Sequence, residues 1–164
     1  MIEVEVVGIR LEVPSNQPVL ILRDMTRPRY LPLWIGTAEA TAISLALEGV
    51  VPQRPLTHDL LADVVDSLGA TLTSVTINQF VNGVFMAILQ FANHDSISSR
   101  PSDAVALAIR LDVPVFVDPE VMDEAALEMD EDVTDDGEEV IDPQVELDKF
   151  RAFLDEINPE DFSN

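Results

Sequence analysis

The residues best able to do chemistry lie in three short segments of this chain. Glu39 stands in the first turn of a predicted helix, His58 and Asp59 follow a Pro-Leu-Thr entry into a second helix, and Arg100 to Asp103 open a third. Carboxylates bind divalent cations, a histidine can take up a proton near neutral pH, and an arginine at a helix N-terminus binds phosphate. If the three segments converge, they supply what metal-dependent phosphodiester hydrolysis needs.

Each segment also has an ordinary structural explanation, and the sequence leaves both open. An acid such as Glu39 in the first turn is favoured by the helix dipole by about 0.3 to 1 kcal/mol. The histidine and aspartate of the second segment would cap and pack the loop before their helix. Arg100 and Asp103 would pair across the end of a buried helix, with the Ser102 hydroxyl as a cap rather than a phosphate ligand. Asp103 and Arg110 share one face of that helix.

The second predicted helix has two contrasting faces. Asp59, Asp63 and Asp66 fall close together on one side at 100° per residue, and they predict a solvated acidic face or, less simply, a cation site. The opposite side is apolar, which predicts the packed face of a surface helix. Its members are Leu60, Leu61, Val64, Val65 and Leu68.

The elements that must position these residues follow from periodicity. Apolar alternation predicts strands, a three- and four-residue repeat predicts helices, and Asn82-Gly83 predicts a tight hairpin. Because the strands come in groups, we expect an α+β domain with a mixed, largely antiparallel sheet. The predicted strands are 2–13 with a bulge at Gly8, 19–22, 30–35, 71–80, 84–91, 96–98 and 115–117, and the predicted helices are 38–48 with Thr37 as N-cap, 57–68, 101–111 and a short one from Pro119.

Charge divides the chain into two parts. The 164 residues carry a formal net charge of −22, yet 47% are hydrophobic, which excludes a wholly disordered acidic chain. Residues 120–164 hold 18 of the 31 acids and 2 of the 9 bases, so the rest of the chain is only mildly acidic and leaves room for a local phosphate site. Outside the motifs, the arginines cluster around one turn, where we expect solvated side chains. They are Arg23, Arg27 and Arg29, with Arg10 on the strand beside them.

The acidic C-terminal part predicts two segments beyond a domain at 1–128. Residues 129–142 read as an acidic flexible linker. Residues 143–164 read as an amphipathic helix and tail, because Phe150, Phe153, Leu154 and Ile157 recur at three- and four-residue steps. Such a helix would dock on its own domain, on a sister subunit or on a foreign partner.

Features that the sequence lacks limit the kinds of site and the cellular location that we expect. The chain has no cysteine, so oxygen atoms and its two histidines would hold any metal, and no motif for an organic cofactor is present. The first residues lack a basic signal region, and no apolar run nears the roughly 18 to 20 residues that span a bilayer. We expect a cytoplasmic protein that does not enter a membrane.

The segments that hold the candidate site residues make the sequence resemble the bifunctional nuclease domain family, whose plant members degrade both DNA and RNA. The resemblance spans about residues 2 to 120 and implies a compact α+β domain that forms homo-oligomers and cleaves nucleic acid. The segments that carry it are Asn16 to Val19, Tyr30 to Gly36, Glu39-Ala40, Arg54 to Leu61 and Arg100 to Ala108.

Two functions from different classes follow. The first is a metal-dependent nuclease in which Glu39, Asp59 and Asp103 hold Mg²⁺ or Mn²⁺, His58 acts as base with Asp59 and Asp103 beside it, and Arg100 with Ser102 contacts the phosphate. It requires these side chains to converge in one cleft. The second is a noncatalytic oligomeric binding or regulatory module in which the same motifs build only fold and interface.

Overall fold

The structure is a computed structural model, and it describes residues 1–128. The predicted acidic linker at 129–142 and the predicted helix and tail at 143–164 lie outside the described residues. Within them, eight strands and four helices alternate in groups. The strands are β1 (Ile2–Leu11), β2 (Pro18–Asp24), β3 (Arg29–Trp34), β4 (Leu72–Val81), β5 (Val84–Phe91), β6 (Ile97–Ser99), β7 (Val115–Val117) and β8 (Leu127–Glu128), and the helices are α1 (Thr37–Leu47), α2 (Thr57–Ser67), α3 (Pro101–Leu111) and α4 (Pro119–Ala125).

All eight strands form one mixed sheet in the order β6-β5-β4-β7-β1-β2-β3-β8. Only β4 and β7 pair in parallel, and the six other neighbouring pairs are antiparallel. This arrangement confirms the predicted α+β class and the mixed, largely antiparallel sheet. The short strand β7 is central, because it joins the meander β1-β2-β3 to the strands β4, β5 and β6.

Two glycines allow the chain to follow this topology. Gly8 has φ of +143°, and the register between β1 and β2 shifts between Val6 and Gly8, which confirms the predicted bulge. Asn82 and Gly83 both have positive φ, at 52° and 77°, and join β4 to β5 through the predicted tight hairpin. Side chains other than glycine, asparagine and aspartate rarely adopt such backbone angles.

The helices that carry the candidate residues pack around α3. Seven of its eleven residues are buried, as the sequence predicted for an almost uniformly apolar helix, and it lies against β4 and β5. Helix α1 packs on α3 and on β1 and β2, whereas α2 packs mainly on α3. The starts of α1, α2 and α3 therefore come from three parts of the chain but belong to one packed unit.

The structure corrects several local predictions. Gly36, rather than Thr37, is the N-cap residue of α1, and Leu56 is that of α2. Strand β8, which pairs with β3, was not predicted, because two residues carry no readable periodicity. No helix in residues 1–128 is long and apolar enough to cross a membrane.

Arg29 corrects the prediction of a solvated arginine cluster. It is only 6% exposed, and its guanidinium donates to Asp24 and to Asp123 of α4, each at 2.8 Å. A buried guanidinium is stable only when carboxylates offset its charge. Asp24 is five residues away, but Asp123 is 94 residues away, too far along the chain for local periodicity to reveal it. Arg29 thus ties the β2 to β3 turn to α4.

Helix α2 corrects a second prediction. Of its eleven residues only His58 is buried, and Ala62 and Val65 are half-buried on the same side. Of the five apolar residues predicted to face the core, Val65 does so, but the other four lie at the surface, with exposed fractions between 40% and 77%. They are Leu60, Leu61, Val64 and Leu68.

Candidate functional site

Four of the predicted site residues form one chain of contacts where three helices begin. Arg100, the N-cap of α3, bonds Asp103 Oδ2 through Nε at 2.6 Å and Glu39 Oε1 through Nη2 at 2.8 Å. Asp103 Oδ1 in turn lies 3.0 Å from His58 Nε2. The structure therefore brings together Glu39 of α1, His58 of α2 and Arg100 with Asp103 at the start of α3.

Local backbone structure explains how each side chain arrives there. Pro101 at the first position of α3 leaves Arg100 extended, at φ −71° and ψ 145°, so that its side chain reaches back over the first turn. Glu39 lies in the first turn of α1, and its carboxylate folds over Gly36, where a Cβ atom would overlap it. The absence of a side chain at Gly36 thus gives the Glu39 carboxylate its place.

Burial differs along this chain of contacts. The His58 side chain is 11% exposed and that of Glu39 is 16% exposed, whereas Asp103 is 28% and Arg100 is 65% exposed. The arginine is therefore the part of the network that a ligand can reach from solvent. The histidine lies behind it, on the side of α2 that faces α3.

The protonation state of the network follows from Asp103. Partial burial raises the pKa of Asp103, but hydrogen bonds from Arg100 and His58 and the charge of Arg100 outweigh it, so the net pKa is lowered. An ionised carboxylate only accepts hydrogen bonds, so Nε2 of His58 must carry the proton that lies between the two residues. In the neutral imidazole this leaves Nδ1 with its lone pair as the basic nitrogen.

Asp59 belongs to a second, adjoining network. Its Oδ1 accepts from Arg110 Nε at 2.5 Å, and its Oδ2 accepts from the Leu56 backbone N–H at 2.9 Å. Arg110 also donates to the carbonyl oxygens of Ala42 at 3.0 Å and Ala106 at 2.8 Å. The hydrogen bond from Arg110, followed by that from Leu56, lowers the pKa of Asp59. Arg110 thus joins α1, α2 and α3 directly beside His58.

Arg110 is a residue whose importance the sequence did not reveal. Its side chain is 9% exposed and makes all three contacts just described. The available signal was a permanent charge in an otherwise apolar helix, on the same face as Asp103. Such a charge must find partners, although the sequence could not identify Asp59 and Ala42 as those partners.

The predicted metal ligands do not assemble into a cation site in this conformation. Glu39 and Asp103 both contact Arg100, and Asp59 is directed to Arg110. Across residues 1–128, no group of three or more histidine, cysteine, aspartate or glutamate residues is arranged to hold a metal ion. The guanidinium of Arg100 lies where a cation between Glu39 and Asp103 would bind, so the set does not fit a metal as it stands.

Ser102 is also placed differently from an exposed phosphate ligand. It is 6% exposed, and its neighbours in α3 from Ala104 to Ala108 are buried as well. Its hydroxyl is therefore not part of the surface that Arg100 presents. The described geometry offers one exposed guanidinium for an anion and one histidine, oriented by a carboxylate, for a proton.

An α+β domain in which a histidine and aspartate pair adjoins an exposed arginine has the residue types of a site for phosphoester chemistry. Residues 20–130 match the family described as the bifunctional nuclease domain, so this chain belongs to that family. This confirms the family expected from the sequence.

Three relatives give the range of similarity. Uncharacterized proteins of two Mycobacterium tuberculosis strains are 46% identical over 160 residues, which cover 98% of this chain and 97% of each relative. That match runs well past residue 128. Bifunctional nuclease 2 of Oryza sativa subsp. japonica is 26% identical over 117 residues, which cover 67% of this chain and 36% of the rice protein.

Proposed function

We propose that this domain is a nuclease that hydrolyses phosphodiester bonds of DNA, RNA or both at the Arg100 network. The observation that carries the proposal is the continuous path from the exposed Arg100 through Asp103 to His58. Arg100 binds a backbone phosphate, and the developing negative charge of the transition state strengthens that contact. His58, oriented by Asp103, takes the proton from the attacking water through Nδ1.

Membership of the bifunctional nuclease domain family and the name of the rice relative support nucleic acid as the substrate. Charge does not prevent it. Residues 1–119 carry 13 acids and 7 bases, and exposed charges are screened beyond about 8 Å at physiological salt. A local phosphate contact at Arg100 is therefore compatible with an acidic protein.

Dependence on Mg²⁺ or Mn²⁺ stays a prediction. Binding of the ion by Glu39 and Asp103 would require Arg100 to leave both carboxylates. The ion would stabilise negative charge on the phosphate, a role that Arg100 shares in the present arrangement. No step of the proposed proton transfer between water and His58 depends on it.

A noncatalytic binding or regulatory module is the second candidate function. It is favoured by the fact that Glu39 and Asp103 together outweigh the single charge of Arg100. A network in which both carboxylates already contact Arg100 can simply hold three helix ends together. Homo-oligomers with a binding role would then be the functional form.

The test is a nuclease assay with the full-length protein on single- and double-stranded DNA and RNA. Each substrate is incubated with EDTA, with Mg²⁺ and with Mn²⁺, and wild type is compared with Asp103→Asn. We expect cleavage by wild type that Asp103→Asn reduces strongly. The separate prediction of metal dependence is that EDTA abolishes this cleavage and that Mg²⁺ or Mn²⁺ restores it.

Activity that survives EDTA would contradict the metal dependence but leave the roles of Arg100 and His58 in place. The nuclease proposal would be overturned if wild type and Asp103→Asn were equally active. It would also be overturned if the activity separated from the protein during purification. Oligonucleotide binding without cleavage would favour the noncatalytic module.

A further inference from the structure

Helix α2 presents an apolar face that nothing in residues 1–128 covers. Leu60, Val64 and Leu68 lie on one side of the helix and are 56%, 43% and 77% exposed, with Leu61 beside them at 40%. The helix is held on its opposite side by His58, Ala62 and Val65. We call the surface formed by Leu60, Leu61, Val64 and Leu68 the α2 face.

A cluster of this kind is more than scattered surface hydrophobicity. Single exposed apolar residues are common on soluble proteins, but four on one side of one helix form a contiguous patch. Large contiguous apolar patches mark surfaces that bind a protein segment, a membrane or a ligand.

We propose that the C-terminal segment 143–164 of the same chain covers the α2 face. Its apolar residues Phe150, Phe153, Leu154 and Ile157 span eight positions, and those of the α2 face span nine. In the helical form that its periodicity predicts, the segment's stripe would take about two turns, roughly 11 Å, which is close to the length of the α2 face. The inference is independent of the proposed nuclease activity.

Charge at the edges of the two stripes is complementary. Residues 129–164 contain only two bases, Lys149 and Arg151, and they directly flank Phe150 in the segment's stripe. Asp63 borders the α2 face next to Leu60 and is exposed. The placement of both bases beside the apolar stripe favours an acidic counterpart, although the extension as a whole is strongly acidic.

The length of the chain before Phe150 allows segment 143–164 to reach the α2 face of its own domain and favours this docking over docking of a second copy. The 21 residues at 129–149 can span roughly 70 Å, several times the radius of gyration of about 14 Å expected for a 128-residue domain. Tethering raises the effective concentration of the segment to the order of millimolar. A second copy of the chain has no such advantage and would bring a net charge of −22 against −22.

Docking of segment 143–164 on the α2 face would also stabilise the candidate site. Helix α2 holds His58 against α3 but packs on the domain through one narrow side. A segment bound to the outer face of α2 would give this helix contacts on both sides and so stabilise its position. We expect backbone amide hydrogens of α2 to exchange more slowly in wild type than in a variant whose segment cannot dock.

The experiment uses the absence of cysteine from the chain. In the full-length protein, Val64→Cys is combined with Leu154→Cys, and the pair is oxidised at low protein concentration. The matched control combines Leu154→Cys with Met25→Cys, because Met25 is 56% exposed in the turn between β2 and β3. We expect an intramolecular disulfide, seen as a faster monomer band on non-reducing gels, for the Val64 pair and little for the control.

A second pair of variants tests the apolar contact itself. Phe153→Asp, added to the protein with cysteines at positions 64 and 154, should remove most of the disulfide. The single variant Phe153→Asp, which has no cysteine, should show faster amide exchange in α2 than wild type. Equal cross-linking of both cysteine pairs would overturn the proposal, since it would mean an undocked segment. A disulfide-linked dimer would also overturn it, because the occupant would then be a second copy.

Discussion

His58 of α2 and Asp103 of α3 are joined side chain to side chain, with 3.0 Å between Nε2 and Oδ1, although 45 residues separate them in the chain. The contact fixes the tautomer of the histidine and connects it to Arg100 at the surface.

Replacing His58 by glutamine should lower the turnover number by about 10²- to 10⁴-fold, the usual contribution of a general base. Glutamine can still donate a hydrogen bond to Asp103 but cannot take up a proton at neutral pH. The measurement is kcat on an oligonucleotide substrate, with circular dichroism to verify folding. His94→Gln is the matched control, because His94 is the other histidine and is exposed. Equal turnover in both variants would rule out a catalytic role for His58.

Arg100→Ala should weaken binding of single-stranded oligonucleotides and reduce the slope of log K against log salt by about 0.7, the value for one lost phosphate contact. The side chain is 65% exposed and lies at the start of α3, where an anion is favoured. Fluorescence anisotropy at several salt concentrations measures the slope. Arg54→Ala, a change of another exposed arginine, should leave it unaltered. An unchanged slope for Arg100→Ala would mean that phosphate does not bind there.

Gly36→Ala should perturb the site with little loss of stability. The added Cβ would overlap the Glu39 carboxylate, which can rotate away because it ends a flexible side chain. Since Gly36 has an ordinary φ of −74°, alanine causes no backbone strain. We expect the variant to show the same change in oligonucleotide binding as Glu39→Gln, with a melting temperature close to that of wild type. A Gly36→Ala protein with wild-type binding would show that the position of Glu39 is unimportant.

Asp59→Asn should destabilise the fold in a pH-dependent way. The folded pKa of Asp59 is lowered by hydrogen bonds from Arg110 and Leu56, so its ionised form stabilises the protein above the unfolded pKa of about 3.9. That stabilisation is lost as pH falls through the lower, folded pKa. Loss of the charge beside the buried Arg110 should cost about 2 to 4 kcal/mol at pH 7.

Urea unfolding at pH 7 and at successive steps below pH 4 measures this effect. The difference between wild type and Asp59→Asn should shrink as the pH falls below 4. Asp63→Asn, on the solvent side of the same helix, should have little effect at either pH. A constant difference across the pH range would show that ionisation of Asp59 does not contribute.

The sequence predicted the bounds of the helices and strands better than it predicted the tertiary contacts between them. Periodicity placed α3 and β7 at their observed bounds, because a long apolar run after Arg100-Pro101 and a short one between turns leave little choice. Convergence of Glu39, His58, Arg100 and Asp103 could be hypothesised only because their residue types suited one reaction. Their order of contact, with Arg100 between two carboxylates, depends on helix packing that the sequence does not encode locally.

Asp59 and the α2 face illustrate where local reasoning stops. Asp59 looked like a third ligand beside His58, but adjacent residues on a helix point about 100° apart, and Arg110 lies on the side where Asp59 points. The apolar stripe of α2 looked like a core face, since amphipathicity identifies two faces but not which one meets the domain. Tertiary packing placed His58 and Ala62 inward, and of the stripe only Val65 is inward with them.

The position of β7 determines when the site can be complete during synthesis. Helix α1, with Glu39, packs on β1 and β2, whereas α3, with Arg100, packs on β4 and β5. The three residues of β7 are the strand between those halves of the sheet, and they follow all four site residues in the chain. A nascent chain that ends between Asp103 and Val115 therefore holds every residue of the network but lacks the strand that joins its two supports. We expect the site to become fully assembled only when β7 has left the ribosome.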